Sequence, residues 1–242
     1  SFSFKGKDVP LDSVARALGV THVVEGSVRV AGPKLRVTVQ LIEAATGFHV
    51  WSDSYDRDAS DFLGVQDEIA RAIAKSLQVQ LSPAIAKPPP SETRDPEAYR
   101  LLVRANQVMR SGSTRETLAE SGALLEEALR RDPNYARAMA ALANVLSWQA
   151  QNRHTDPEPA YARARELAER SIAIAPTVEA HLVLARHASL QLWDTAAADA
   201  HYRSALDINP VDPRALQFRA MFLDQVGRTE EGLAAARRAV EL

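Results

Sequence analysis

Cysteine is absent from the 242-residue chain, which excludes disulfide frameworks, thiol nucleophiles and thiolate metal sites. An excess of charge is also lacking, because 29 Lys and Arg residues face 31 Asp and Glu residues and the formal net charge is −2. The chain therefore has no basic field for a major nucleic-acid interface. No uninterrupted apolar run reaches the roughly 18 residues that a membrane-spanning helix needs. What is present is a chain that is 46% hydrophobic, enough to fill a globular core.

Motifs for catalysis and cofactor binding are missing as well. Phosphate-cradling patterns such as GxGxxG and GxxxxGK do not occur, and no GxSxG elbow presents a nucleophile. An acidic cluster lacks the spacing and central glycine of a calcium loop, and three histidines of one repeat include an i, i+6 pair that shares no helix face. These residues are Asp53, Asp56, Asp58 and Asp61, and His181, His187 and His201. We predict no catalytic residue, no cofactor and no metal site.

The first 81 residues have the pattern of a small α+β domain. Residues 8–19 place apolar side chains at helical spacing and end at Gly19. Three alternating segments, about 22–30, 35–41 and 49–55, predict strands of an antiparallel meander. Apolar residues from Phe62 to about Leu81 return to helical spacing, so a second helix should cover one face of the sheet. Trp51 and Tyr55 should point to one side of the third strand and pack in its core.

Residues 82–94 interrupt this pattern with Pro83 and the triplet Pro88, Pro89 and Pro90. Such a composition cannot continue a helix and is typical of a stiff, polyproline-like linker. We therefore predict a domain boundary here.

Beyond the linker, residues 95–242 carry a repeat. Pro176 and Pro210 lie 34 residues apart, the period of the tetratricopeptide repeat, in which stacked helical hairpins bury their apolar faces against each other. The best-formed repeat has Leu182, Ala185, Ala198, Tyr202 and Ala205 at the motif positions. We predict an all-α superhelix of about four hairpins, the first degenerate and the last short of its closing proline.

Two local features refine the repeat. The interval from Pro133 to Pro176 is 43 residues, which predicts an insertion of about nine residues, in a longer loop around 151–159. Asp-Pro pairs predict helix starts, because the carboxylate caps the helix and proline suits its first position. The pairs begin at Asp95, Asp132 and Asp212.

The amino-acid sequence of the first domain resembles that of a known family. The matching segments are SFSFKGKDV, ALGVTHVVEGSVRVAG, LRVTVQLIEAATGFHVWSDSYDRD and FLGVQDEIARAIAKSL. They are similar to the later part of the TolB-amino-terminal-like (FlgO-like) domain, which precedes tetratricopeptide repeats in bacterial signalling proteins. The resemblance implies that the strand, helix and strand that begin the family's domain are missing here, which would leave an exposed sheet edge. It also implies an output domain upstream: a class III adenylate cyclase, a winged-helix transcription regulator or a serine/threonine kinase.

The residue types at the groove positions of the repeats indicate what the groove can bind. Asn144 and Arg214 occupy two positions of the groove that binds a carboxyl terminus, but Ala140, Leu184 and Phe218 replace the others, so that mode of binding is not expected. The predicted partner-binding residues form a mixed polar and apolar set that fits a peptide or a neighbouring domain. They are Arg137, Asn144, Val183, His187, Arg214, Gln217 and Phe222.

The sequence leaves two alternatives each for the groove and for two tryptophans. The groove is filled either by a partner or by the protein's own segments. Trp148 and Trp193 either cap the hairpin core or stand at the groove rim.

Together these observations predict a non-catalytic sensory or scaffolding region of a bacterial signalling protein. The alternative is the regulatory part of an enzyme or transcription regulator whose output domain lies upstream. The expected partners are a protein or peptide, the upstream output domain and a second copy of the chain, without nucleic acid or a membrane span. The cytoplasm is favoured, and an upstream transmembrane helix would place the region in the periplasm.

Overall fold

The computed structural model describes residues 10–32, 34–58, 62–77 and 92–241, in two compact units, Ser1–Pro88 and Pro89–Leu242. The first unit is the predicted α+β domain with an antiparallel meander in the order β1-β2-β3. Its elements are α1 (Leu11–Leu18), β1 (His22–Ala31), β2 (Lys34–Glu43), β3 (His49–Asp58) and α2 (Phe62–Ser76). The fold class predicted from the sequence is thus confirmed.

Two glycines are required by the backbone geometry of this unit. Gly19 adopts φ 65°, the left-handed cap that ends α1. Gly26 of β1 lies so close to β2 that an added Cβ would stand 2.6 Å from the carbonyl oxygen of Thr38. Only glycine permits this approach of the two strands.

One face of the sheet packs beneath α2. Leu41 and Tyr55 of this face are buried, as is Val65 of α2. Tyr55 lies in the core, as its position on the strand predicted. Three of the four valines of β1 stay exposed, namely Val24, Val28 and Val30. Helix α2 ends at Ser76, and the predicted continuation to residue 81 lies outside the described residues, as do residues 1–9 and 82–91.

The second unit consists of four antiparallel helical hairpins within residues 92–241. The hairpins are α3 (Pro96–Arg110) with α4 (Arg115–Arg131), α5 (Ala136–Gln151) with α6 (Pro157–Ile174), α7 (Val178–His187) with α8 (Thr195–Ile208), and α9 (Pro213–Gln225) with α10 (Thr229–Glu241). A π-helical turn, Ala188–Leu192, extends α7. Buried alanines line the crossings, since small side chains let paired helices approach closely.

The Asp-Pro pairs have two different outcomes. Asp95 caps α3 and Asp212 caps α9, each followed by proline at the first helical position, as predicted. The prediction for Asp132 is wrong, because α5 begins at Ala136. The Asp132 carboxylate instead accepts hydrogen bonds from the Asn134 amide and the Thr93 hydroxyl, which holds a turn.

The extra residues of the second repeat are not confined to its loop. Helix α6 has 18 residues and its counterpart α8 has 14. The loop 152–156 has five residues, against Trp193 and Asp194 alone in the next repeat. The prediction of a long loop is therefore wrong in its extent, because much of the insertion continues the helix.

Residues 92–94, the end of the predicted linker, pack against the helical unit. Thr93 is buried and donates its hydroxyl hydrogen bond to Asp132 across 2.6 Å. Glu92 accepts hydrogen bonds from the Arg137 guanidinium and, at 3.4 Å, from the Tyr135 hydroxyl.

None of the helices described here combines the length and the apolar character that a membrane crossing demands.

Candidate functional site: the strip along the first helices

The first helices of three consecutive hairpins, α5, α7 and α9, lie side by side and present one continuous set of side chains. Within each helix the members are three, four or seven residues apart, and this spacing places them on one helix face. We call this surface the first-helix strip. It consists of Asn144, Trp148 and Gln151 of α5, Glu179 and Arg186 of α7, and Arg214, Phe218 and Met221 of α9.

One end of the strip is a polar network centred on Glu179. Its Oε1 atom accepts a hydrogen bond from the Asn144 side-chain amide at 2.9 Å and one from the Arg214 guanidinium at 3.3 Å. The Glu179 charge is the main reason that the pKa of Arg214 is raised. Glu179 and Arg214 are each the second residue of their helices and so are equivalent positions of successive repeats, whereas Asn144 lies about two turns further along α5.

The other end of the strip is built around Arg186, which is only 9% exposed. Its guanidinium lies 4.5 Å from the Trp148 ring centroid and 5.4 Å from that of Phe218, so aromatic rings of two neighbouring helices enclose the cation. Its hydrogen bonds go to neutral amide oxygens, Asn144 Oδ1 at 3.3 Å and Gln151 Oε1 at 3.0 Å. Burial lowers the pKa of Arg186.

A small cavity of about 110 Å³ adjoins Arg186. Its walls come from all three first helices, the π-helical turn and α8. They are Trp148, Gln151, Arg186, Ser189, Leu190, Tyr202, Phe218, Met221, Phe222 and Gln225. Most of the lining is apolar, and burial raises the pKa of the Tyr202 phenol to about 12, so Arg186 is the charged group of this cavity.

The predicted groove residues have different surroundings in the structure. Asn144 and Arg214 meet at Glu179 in the strip, and Gln217 is exposed on the same helix as Arg214. Phe222 is 3% exposed and forms part of the cavity wall, in contact with Tyr202.

The remaining three predicted residues make other contacts. Val183 is 2% exposed and belongs to the hydrophobic core, which corrects its assignment to the groove lining. His187 lies against Tyr161 of α6, with ring centroids 6.2 Å apart, so it faces the preceding hairpin. Arg137 is paired with Glu92. A role of Arg137 and His187 in partner binding stays a prediction.

Sequence reasoning missed Glu179, Arg186 and the enclosing Trp148 and Phe218 as members of one site. A signal existed for Glu179, since it precedes Arg214 by 35 residues and so occupies the equivalent position of the preceding repeat. Arg186 gave no such signal, because its burial depends on rings contributed by two other helices. Of the two open tryptophans, Trp148 belongs to the strip, while Trp193 is 82% exposed at the end of the π-helical turn.

A second polar contact lies on the other side of α7. His181 Nδ1 and His201 Nδ1 are 3.1 Å apart, and burial lowers the pKa of both imidazoles. Among residues 10–32, 34–58, 62–77 and 92–241, no group of three or more His, Asp or Glu side chains could hold a metal ion.

The fold and the strip define a class: an α+β unit followed in the chain by tetratricopeptide-type helical repeats. No protein-family model matches the chain. Over 146 residues, 60% of its length, the chain is 39% identical to "Putative adenylate cyclase 3" of Rhizobium meliloti (strain 1021). It spans 25% of that protein.

Among solved structures, the crystal structure of MamA is similar with a TM-score of 0.42 and 19% sequence identity. The similarity covers 76% of this chain and 94% of the MamA chain. A likeness of that degree carries no conclusion about this protein. The TolB-like identity of the first unit stays a prediction.

Proposed function

We propose that this chain is a protein-binding regulatory region of a bacterial signalling protein, and that the first-helix strip binds the partner. The observation that carries the proposal is the continuity of the strip across three repeats. Polar groups of Asn144, Glu179 and Arg214 continue into the aromatic and apolar surface around Phe218 and Met221. A mixed surface of this kind suits a peptide or a protein segment.

The output of the signalling protein is proposed to be cyclic-nucleotide synthesis. The similarity to a protein named as an adenylate cyclase supports this output over the kinase and winged-helix alternatives. In this proposal the catalytic domain lies outside the chain, and the chain itself does not catalyse a reaction. Partner binding at the strip would regulate that domain.

Met221 offers a clean way to test the strip. It is 55% exposed, so a charge introduced there changes the binding surface and leaves the core intact. Leu233 of α10 is 53% exposed and does not belong to the strip, which makes it a matched control. The experiment is affinity capture from bacterial extract with the wild-type chain, Met221→Glu and Leu233→Glu, followed by mass spectrometry.

We expect the wild-type chain and Leu233→Glu to capture the same proteins, and Met221→Glu to lose them. An equal set captured by all three chains would contradict binding at the strip. The absence of turnover is checked separately by incubating the chain with ATP and Mg²⁺. Cyclic AMP formation that persists through purification would contradict a non-catalytic role.

A further inference from the structure

The charge balance of the strip is incomplete. Arg186 and Arg214 contribute two positive charges and Glu179 contributes one negative charge, which is already engaged by Asn144 and Arg214. In the part of the chain that the structure describes, no carboxylate lies within 4.0 Å of Arg186, and the charge of Glu179 acts on it from beyond that distance. A buried cation without an anion in contact is unfavourable, because neutral partners replace only part of its lost hydration.

The guanidinium nevertheless has hydrogen-bonding capacity left. Arginine has five N–H donors, and the hydrogen bonds of Arg186 to Asn144 and Gln151 employ one on each terminal nitrogen. The adjoining cavity of about 110 Å³ has room for a few water-sized groups, at about 30 Å³ each. That size suits a carboxylate with its methylene group.

The rim of the cavity indicates how a ligand would arrive. Leu190 of the π-helical turn is 44% exposed and Met221 of α9 is 55% exposed, and both line the cavity. Apolar contacts are thus available on the α7 side and on the α9 side of the charged centre. A chain that continues in both directions from an acidic side chain could use both, whereas a chain terminus could use only one.

We propose that Arg186 is an anion-binding residue, and that it takes the side-chain carboxylate of an Asp or Glu flanked by apolar residues in a partner segment. The carboxylate enters the cavity between Trp148 and Phe218 and neutralises the buried guanidinium. The proposal rests on the proposed function of the strip and specifies the chemistry of its partner.

The test is selection of random phage-displayed peptides on the full chain, followed by affinity measurements on the selected peptides. The peptides are synthesised with acetylated and amidated ends, so that only side-chain carboxylates remain, and each is paired with its Glu→Gln or Asp→Asn counterpart. The chains compared are the wild type, Arg186→Met, which preserves apolar packing, Arg186→Lys, which preserves the charge, and Arg237→Met as a control on the exposed face of α10. Circular dichroism verifies that each variant is folded.

We expect the wild type to select acidic residues with apolar neighbours and to bind the acidic peptide about 30-fold or more tightly than its amide counterpart. This preference should persist in Arg237→Met, weaken in Arg186→Lys and vanish in Arg186→Met. Since carboxylate and guanidinium act as one pair, removing both should weaken binding little more than removing either.

Other outcomes would overturn the inference. Selected peptides without acidic preference, or a preference that Arg186→Met retains, would refute the role of Arg186 and leave peptide binding by the strip intact. If the selected peptides bind only when resynthesised with a free carboxyl terminus, the ligand is a chain end and the inference fails. Failure to select any peptide would contradict both the inference and the proposed function. If Arg186→Met fails to fold, Arg186→Lys together with the Glu→Gln peptide decides the matter.

Discussion

Two glycines in the second helices of the repeats should respond oppositely to the same substitution. Gly122 lies in α4, where an added Cβ would meet Val145 Cγ1 at 3.6 Å, an ordinary contact. Gly232 lies in α10, where the Cβ would stand 2.9 Å from the backbone carbonyl oxygen of Ala220. Both residues are buried and helical, so the space around the new methyl group is the main difference between them.

The magnitudes follow from helix propensity and packing. Replacing Gly by Ala inside a helix is worth about 1 kcal/mol, so Gly122→Ala should stabilise the chain by about that amount. At Gly232 the same gain is opposed by overpacking of about 3 kcal/mol, because the obstructing atom belongs to the backbone of α9. Gly232→Ala should therefore destabilise the last hairpin by about 2 kcal/mol.

Amide hydrogen exchange is the suitable assay, because stability in a repeat protein is distributed among neighbouring hairpins. For Gly232→Ala, exchange in α9 and α10 should accelerate by about 30-fold, with little change in α5. For Gly122→Ala, exchange in α3 and α4 should slow. Equal or slower exchange of α10 in Gly232→Ala would refute the packing argument, as would faster exchange of α4 in Gly122→Ala.

Three further predictions concern polar groups. Because burial depresses the pKa of His181 and His201, the unfolded chain binds protons more readily, so the free energy of unfolding should fall as the pH drops below 6.5. Urea titrations at neutral pH and at about pH 5 should show a smaller fall in His201→Gln, and an unchanged pH dependence would refute this. Asp95→Ala removes the cap that binds two amides of α3 and should lower stability by about 1 kcal/mol in thermal unfolding, whereas no change would exclude a stabilising cap. Ser171→Ala loses the buried 2.8 Å hydrogen bond to the Ala136 carbonyl and should cost about 1 kcal/mol in urea unfolding; a gain in stability would contradict this.

Local patterns predicted much of the fold because they act within a few residues. The left-handed cap at Gly19, the alternation of the three strands and the Asp-Pro starts of α3 and α9 all depend on local backbone geometry. At Asp132 the outcome differs. Its carboxylate accepts the Asn134 amide two residues on, which holds a turn, and the Thr93 hydroxyl from 39 residues away, so it caps no helix start.

The candidate site likewise contains residues that the sequence could place and residues whose surroundings depend on packing. Asn144 and Arg214 could be placed on a common surface from the repeat pattern, since the first helices of stacked hairpins become neighbours. Val183 could not be distinguished from them by position, because its burial depends on the helices that flank α7. His187 was likewise placed by its contact with α6.

Residue order alone predicts the two-part architecture, the antiparallel meander and the period of the repeats, because hydrophobic periodicity and turn chemistry depend on residues that are close in the chain. The environment of Arg186 depends instead on how the helices pack. Its enclosure by Trp148 and Phe218 joins residues of three helices that lie far apart in the chain, and the absence of a neighbouring carboxylate among the described residues emerges only when those helices are packed. An arginine that looks ordinary in the sequence thus becomes a buried cation because of its neighbours in space.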